Sequence, residues 1–340
     1  MRAFPQLETS PDAMAAGESR GRQLQLKCPS CSWNLGVLNT LDLSAAAICP
    51  ACSFTLHNQG GIWRVLTPDR QERFRQFTHE YQEVRAVEGR GSSNPDFYLR
   101  LPYEDVTGRH RWQWQIRGAS FRFFETNILP QSEGNHQRGL DILDLGAGNC
   151  WMSYRLALRG HCPVAVDLID NPEDGLGAAR HYLNHLRRPF ARFQAEMDRL
   201  PFQDHQFDLA IFNASFHYSE DYQRTVREVL RCLRRLGQLV IIDSPFYEHP
   251  RSGEEMVKER QVAFVRKFGF PSDSLASCEY LTAGILKDLE KTFRLSWRIA
   301  KPWYGLEWAL RPFKARLLRR RVPSKFFIFW TTVHTDDRSL

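Results

Sequence analysis

Apolar positions recur along this chain in more than one texture. From Pro68 to Val87 the stretch is mostly polar, yet Phe74, Phe77, Tyr81 and Val84 stand at i, i+3, i+7 and i+10, the single stripe of an amphipathic helix. A second helix is predicted from about Arg109 to Phe124, after a loop-rich segment over 89–110. Past residue 138, short apolar runs alternate with helical patterns. Strands are predicted at Leu140–Leu145, Pro163–Leu168, Ala191–Glu196, Phe207–Asn213 and Gln238–Asp243. Helices are predicted at Asn149–Arg159, Gly175–Arg187 and Asp221–Leu236, the last stopped by Gly237. That alternation predicts an α/β fold with a parallel sheet covered by helices on both faces. Helices at Glu254–Phe268, Leu281–Thr292 and Trp308–Arg320 follow, with strands at Leu295–Ala300 and Lys325–Val333. Ahead of all this, Ile62–Leu66 reads as a short strand after the Gly60-Gly61 turn.

The chain has 340 residues, 42 % of them hydrophobic and 25 % charged, which rules out global disorder and leaves room for one large domain and a smaller one. Lys and Arg number 46 against 39 Asp and Glu, a net charge of +7 that permits an anionic partner without demanding one. No apolar run reaches the roughly 18–20 residues of a membrane span. The N-terminus lacks the apolar stretch of a secretory signal, so a soluble cytoplasmic protein is expected. Residues 1–22 read as a disordered tail, 23–67 as a cysteine-bearing module, 68–137 as a helical linker that covers the substrate pocket, and 138–340 as the sheet domain.

Four of the eight cysteines form two C-x2-C pairs, Cys28/Cys31 and Cys49/Cys52. Each pair makes a tight turn that presents two sulfurs to one metal, and two such turns complete a tetrahedron. A structural zinc bound by Cys28, Cys31, Cys49 and Cys52 is expected, a zinc ribbon with no open coordination position for catalysis. Two disulfides, disfavoured in a reducing compartment, or four unligated thiols are the competing readings.

The segment carrying most chemistry is Asp144-Leu145-Gly146-Ala147-Gly148-Asn149-Cys150-Trp151, between a strand and a helix. Glycines there let a backbone approach a ligand that a Cβ would block. A dinucleotide fingerprint needs a third glycine where Trp151 stands, and no phosphate-loop Gly-Lys-Ser/Thr is present. The segment resembles the first motif of class I S-adenosylmethionine (SAM) methyltransferases, acid-x-Gly-x-Gly-x-Gly after the first strand, with Cys150 at the third glycine. The resemblance implies a Rossmann-like methyltransferase sheet. It also implies roles: Asp144, Gly146, Ala147, Gly148 and Asn149 at the loop, Asp167 and Leu168 at the ribose, Asp198, Arg199 and Leu200 at the adenine, and Asn213 after the fourth strand. Taken singly, each acid is as well read as a strand-end cap; the ordered set is what carries the resemblance.

His217 and Tyr218 follow the fourth strand, where the family places substrate-facing residues, and His217 has the ordinary pKa of a general base. A capping or core histidine is the plainer alternative. Asn213-Ala214-Ser215-Phe216 departs from the Asn-Pro-Pro-Tyr of amine methylation. The local run resembles ubiquinone/menaquinone C-methyltransferases, which implies a small lipophilic or phenolic acceptor. The cysteine module, ending in Gly-Ile-Trp-Arg-Val-Leu, is similar to a small zinc domain that partners translation-related methyltransferases. A zinc ribbon ahead of a methyltransferase is also the plan of a ribosomal RNA guanine methyltransferase. An RNA base methyltransferase is therefore the second reading, and a non-catalytic SAM-binding scaffold, hinted at by Cys150, the third. Arg311, Lys314, Arg316, Arg319, Arg320, Arg321 and Lys325, interleaved with Leu310, Phe313, Leu317 and Leu318, make a basic amphipathic helix. It is read as a solvated face, with RNA or peripheral membrane contact as alternatives.

Overall fold

The computed structural model describes residues 23–40, 46–134 and 138–334. The predicted disordered tail, 1–22, lies outside these residues. Ten strands form one mixed sheet in the order Arg298–Ala300, Ile328–Thr332, Leu233–Ile242, Phe207–Asn213, Asp141–Leu145, Cys162–Asp167, Ala191–Gln194, Ile62–Arg64, Thr55–Gln59 and Ala46–Ile48. The six strands from Leu233–Ile242 to Ile62–Arg64 run parallel; both edges are antiparallel. Strand order reverses between Asp141–Leu145 and Phe207–Asn213, the place where open α/β sheets open a ligand crevice.

Two apolar clusters sandwich the sheet, and the strands feed them alternately. Leu143, Ala210, Phe212, Leu239 and Ile241 face one side, and Ile142, Leu209, Ile211, Val240 and Ile242 the other. Successive strand side chains point to opposite faces, so a strand buried on both reads as an unbroken apolar run. The first face receives Val226, Val229 and Leu230 of the helix Tyr222–Cys232 and Leu286 and Leu289 of the helix Ala283–Phe293. The second receives Trp114, Phe121 and Phe124 of the helix Arg111–Asn127 and Trp151, Met152 and Leu156 of the helix Trp151–Leu158.

The cysteine module does not build a core of its own. Leu24, Leu26, Leu38 and Leu56 join Phe193, Phe202 and Phe207 in the first cluster. Ile62–Arg64 pairs in parallel with Ala191–Gln194, and the Lys27 amide donates to the Pro201 carbonyl at 2.9 Å.

Several predicted boundaries move. The helix expected to Leu236 ends at Cys232, and Leu233–Ile242 is a single irregular strand with Gly237 inside it. Leu233 continues the helical stripe but is buried at the strand's start opposite Phe207. Gly175–Arg187 contributes only the short turns Leu176–Ala179 and Arg180–Leu183. Gly175 and Gly177 press against the backbone of Ile169–Pro172, where a Cβ would stand 2.7–3.0 Å from main-chain atoms. The basic helix is two short pieces, Leu306–Ala309 and Arg311–Leu317, the second begun by Pro312, which tolerates only a first-turn position.

Candidate active site

A cavity of about 410 Å³ opens at the reversal of strand order. Its floor is the glycine loop. Gly146 and Gly148 have φ of +69° and +52°, and a Cβ on Gly146 would stand 2.2 Å from the Ser215 Cβ. Both requirements call for glycine: left-handed backbone and contact with a neighbouring chain segment. The loop is tied to the next strand by Gly146 and Ala147 amides donating to the Val166 carbonyl at 2.8 and 3.1 Å. Asp167 accepts from the Gly148 amide at 2.8 Å and from the Ile169 amide at 2.8 Å, so its carboxylate fastens the loop and still has lone pairs for the cavity. Asp144 is buried beneath, accepting from the Ser153 hydroxyl at 2.6 Å. Burial raises the carboxyls of Asp144 and Asp167 to about 6 in each case, against the lowering effect of those hydrogen bonds.

Asp144, Gly146, Ala147, Gly148, Asn149, Asp167, Leu168, Asp198 and Asn213 all border this cavity. Asn213 presents a buried side-chain oxygen with no partner among the described residues. Asp198 is ion-paired with Arg224 at 3.1 Å. Two residues of the expected set lie off the cavity. Leu200 is fully buried in the sheet-face core, its amide donating to Glu228 at 2.8 Å, and Met197 takes the wall instead. Arg199 does not border the cavity either. Cys150, in place of the third glycine, is fully buried and outside the cavity lining, its thiol 3.6 Å from the Gly148 carbonyl. It therefore does not obstruct the ligand side of the loop.

Residues 143–241 match the family model of a methyltransferase domain. These residues form a SAM-dependent methyltransferase domain. Among solved structures it is similar to the YcgJ protein of Bacillus subtilis, 17 % identical over 60 % of this chain and 97 % of that one, with a TM-score of 0.46. It is similar too to a SAM-dependent methyltransferase from Mesorhizobium loti, 19 % identical over 60 % and 95 % with a TM-score of 0.41. A third is phosphoethanolamine N-methyltransferase 2 of Haemonchus contortus, 15 % identical over 72 % and 60 % with a TM-score of 0.44. At these scores the likenesses carry no weight for substrate or mechanism. No curated protein sequence matches the chain significantly.

The chain covers this crevice with the helix Pro68–Val87. Arg70 grips Glu196 with both carboxylate oxygens engaged, Arg73 reaches Glu220 at 2.9 Å, and Arg85 holds Asp174 by a second two-point contact. Its apolar stripe faces inward: Phe74, Phe77, Tyr81 and Val84 all border the cavity, with the Tyr81 ring edge-on to Tyr218 at 6.1 Å. Arg-carboxylate forks of this kind are strong and directional, which fixes the helix over the site.

His217, Tyr218, Arg117 and Asp243 also border the cavity. Burial, with Arg117 nearby, depresses the His217 imidazole to about 3, and its Nδ1 faces the Ser244 hydroxyl at 3.4 Å. An imidazole so placed is neutral and holds a proton poorly. Asp243 ends the fifth predicted strand and carried no catalytic expectation. It is 95 % buried, being 5 % exposed, with φ of +55° at the end of its strand. Ser120 donates to Oδ1 at 2.5 Å, and Tyr304 Oη stands 2.9 Å from Ser120 Oγ. Oδ2 has no partner among the described residues. Burial raises this carboxyl to about 6, countered by Ser120 and Arg117. The strand pattern puts this acid at a strand end without marking it as a titrating group.

Away from the crevice, the sulfurs of Cys28, Cys31, Cys49 and Cys52 lie within 4.8 Å of one another. The two turns are alike. Cys28 and Cys49 amides donate to Trp33 and Phe54 carbonyls, each at 2.8 Å, and Ser32 and Ser53 adopt φ of 64° and 60°.

Proposed function

We propose that this methyltransferase acts on a small lipophilic or phenolic acceptor bound in the covered chamber next to the glycine loop. The single observation that carries the reading is the chamber's wall. Phe77, Tyr81, Ile116, Trp151, Tyr218 and Phe264 converge there under a helix clamped by three arginines. Such a lining buries a flat apolar ligand and excludes water. A base in a folded RNA would have to enter past that clamped cover, so the RNA reading gains nothing from the geometry.

The residues at the loop suit SAM. Gly146 and Gly148 admit the ligand against bare backbone, Asp167 receives the ribose hydroxyls, the unpaired Asn213 oxygen is an acceptor for the amino-acid part, and Met197 and Asp198 take the adenine. Bound SAM supplies the activated methyl group. Asp243 then receives the acceptor's proton on Oδ2, held in orientation by Ser120 and Tyr304, while His217 serves as a neutral wall. Residues 23–67 act as a zinc ribbon and 68–137 as the cover. The four-cysteine cluster fits a tetrahedral zinc, whose sulfurs would sit roughly 3.8 Å apart at an about 2.3 Å Zn–S bond; Cys28 and Cys52, and Cys31 and Cys49, are already 3.5 Å apart. All four belong to the protein, so that zinc is structural.

The test is label transfer from methyl-labelled SAM into a cell extract separated into RNA, protein, and organic-soluble small molecules. Label is expected in the last fraction. Asp243→Asn should slow transfer by about 100- to 10,000-fold, the range for losing a general base, with SAM affinity held within a few-fold. His217→Asn should keep most of the rate. Label in RNA would overturn the acceptor; a wild-type rate in Asp243→Asn would overturn the base.

A further inference from the structure

Residues 301–325 hold eight Lys and Arg and a single acid, Glu307, a net +7 that equals the net charge of the whole chain. The remainder of the protein is balanced, so its positive charge is one local feature. Within it the helical hydrogen bonds run on across the break between the two short helices: the Leu310 amide donates to the Leu306 carbonyl at 2.9 Å and the Lys314 amide to the Leu310 carbonyl at 3.0 Å. Leu306, Leu310, Phe313 and Leu317, spaced 4, 3 and 4 apart, therefore share one face. They are 72 %, 59 %, 70 % and 74 % exposed. A solvated helix turns charge outward and buries such a stripe; here the stripe is outward. Lys314, Arg316, Arg319 and Arg320 flank it and make no ion pair among the described residues. Trp303, 67 % exposed, precedes it. No helix among the described residues is long and apolar enough to cross a membrane, so the stripe belongs to no spanning segment.

We propose that the face of Leu306–Leu317 docks on an anionic membrane surface, its leucines and phenylalanine entering the acyl boundary and its cations meeting lipid phosphates. Both halves of that chemistry are needed to account for the residues. RNA would engage the cations and leave four large apolar side chains in water. A protein partner would cover the apolar stripe, but four unpaired cations around it require an acidic rim as well. An anionic bilayer supplies both at once. The face also lies against the site. Trp308 stacks on Phe326 at 5.3 Å, and Phe326 borders the cavity. Docking would thus bring the acceptor end of the crevice to the lipid–water boundary.

The experiment is co-sedimentation of the full chain with vesicles of phosphatidylcholine alone and of phosphatidylcholine mixed equally with phosphatidylglycerol, at low and high salt. Wild type is expected to partition onto the mixed vesicles, and less at high salt. Leu310→Ser with Phe313→Ser should reduce the partition at least tenfold with an unchanged melting curve, since both side chains are exposed. Lys314→Gln, Arg316→Gln, Arg319→Gln and Arg320→Gln together should cut it by about fivefold for each cation removed and weaken the salt dependence. The proposal fails if wild type stays in solution with both vesicle types, or if binding ignores the Leu310/Phe313 change. It fails equally if transfer RNA binds in place of vesicles with a salt slope set by the arginines, or if the stripe mediates only self-association that the serine variant dissolves.

Discussion

Replacing Asp167 separates cofactor binding from folding, provided the substitution is chosen from the geometry. In the free protein its two oxygens already accept the amides of Gly148 and Ile169, each at 2.8 Å. Asp167→Ala would remove both acceptors. Each orphaned amide costs about 1–3 kcal/mol, which at about 2–4 °C per kcal/mol is a fall of several degrees in Tm. Weaker binding in that variant would then report a loosened loop as much as a lost contact. Asp167→Asn keeps one acceptor oxygen and the side-chain volume while removing the charge. Charge-assisted hydrogen bonds to a ribose diol are worth about 1.5–3 kcal/mol, or roughly 10–150-fold in affinity. Calorimetric titration of SAM should show Asp167→Asn weaker by about the lower end of that range, with a Tm within a few degrees of wild type. Asp167→Ala should be weaker still and distinctly less stable. Unchanged SAM affinity in Asp167→Asn, with unchanged Tm, would refute the reasoning: the carboxylate would then be a loop fastener alone.

Two further outcomes follow from the same geometry. SAM affinity should fall as pH drops below about 6, because Asp144 and Asp167 are both raised to about 6 by burial and the ligand selects their ionised forms; calorimetry from about pH 5 to 8 checks it. The matching stability effect has the opposite direction: with folded values above the unfolded value of about 3.9, these groups withdraw stability from the free fold as pH rises from about 4 through 6, so the Tm gain from adding SAM should be larger at neutral than at acid pH. Metal analysis should return one zinc per chain, and Cys28→Ser should remove it and lower the Tm of the whole protein in one transition, since Leu24, Leu26 and Leu56 share a core with Phe193 and Phe202.

The parallel sheet was readable because its strands are buried on both faces, so runs such as Phe207–Asn213 announce themselves without knowledge of their neighbours. The glycine loop was readable for a similar reason. A left-handed backbone pressed against Ser215 leaves glycine as the fitting residue at 146. What was not readable depends on partners distant in sequence. Gln23–Lys27 alternates polar and apolar residues, but that Leu24 and Leu26 pack on the sheet rather than within a separate small domain is decided by Phe202 and Phe193. The end of the helix at Cys232 failed locally, because Leu233 satisfies the helical stripe and the strand equally well. The expected cavity residues after the third strand shift by a few positions: beside the short bridge between Glu196 and Arg199, Leu200 is in the core and Met197 is at the cavity.

The choice between His217 and Asp243 shows why a catalytic base is hard to name from residue type. In water the imidazole is the better base at neutral pH, and a carboxylate is nearly three units too acidic. Burial acts on the two in opposite senses, because it penalises whichever form is charged. The cationic form of His217 is the penalised one, and Arg117 adds repulsion, so the ring loses its hold on a proton. The anionic form of Asp243 is the penalised one, so the carboxylate becomes more basic, while Ser120 keeps it from becoming wholly neutral. In the proposed mechanism the same chamber thus exchanges the roles that composition assigned. The proposed exchange has a geometric side: Ser120 occupies one oxygen of Asp243 and leaves the other, itself buried, without a partner among the described residues, so the proposed base has one oxygen open to a proton.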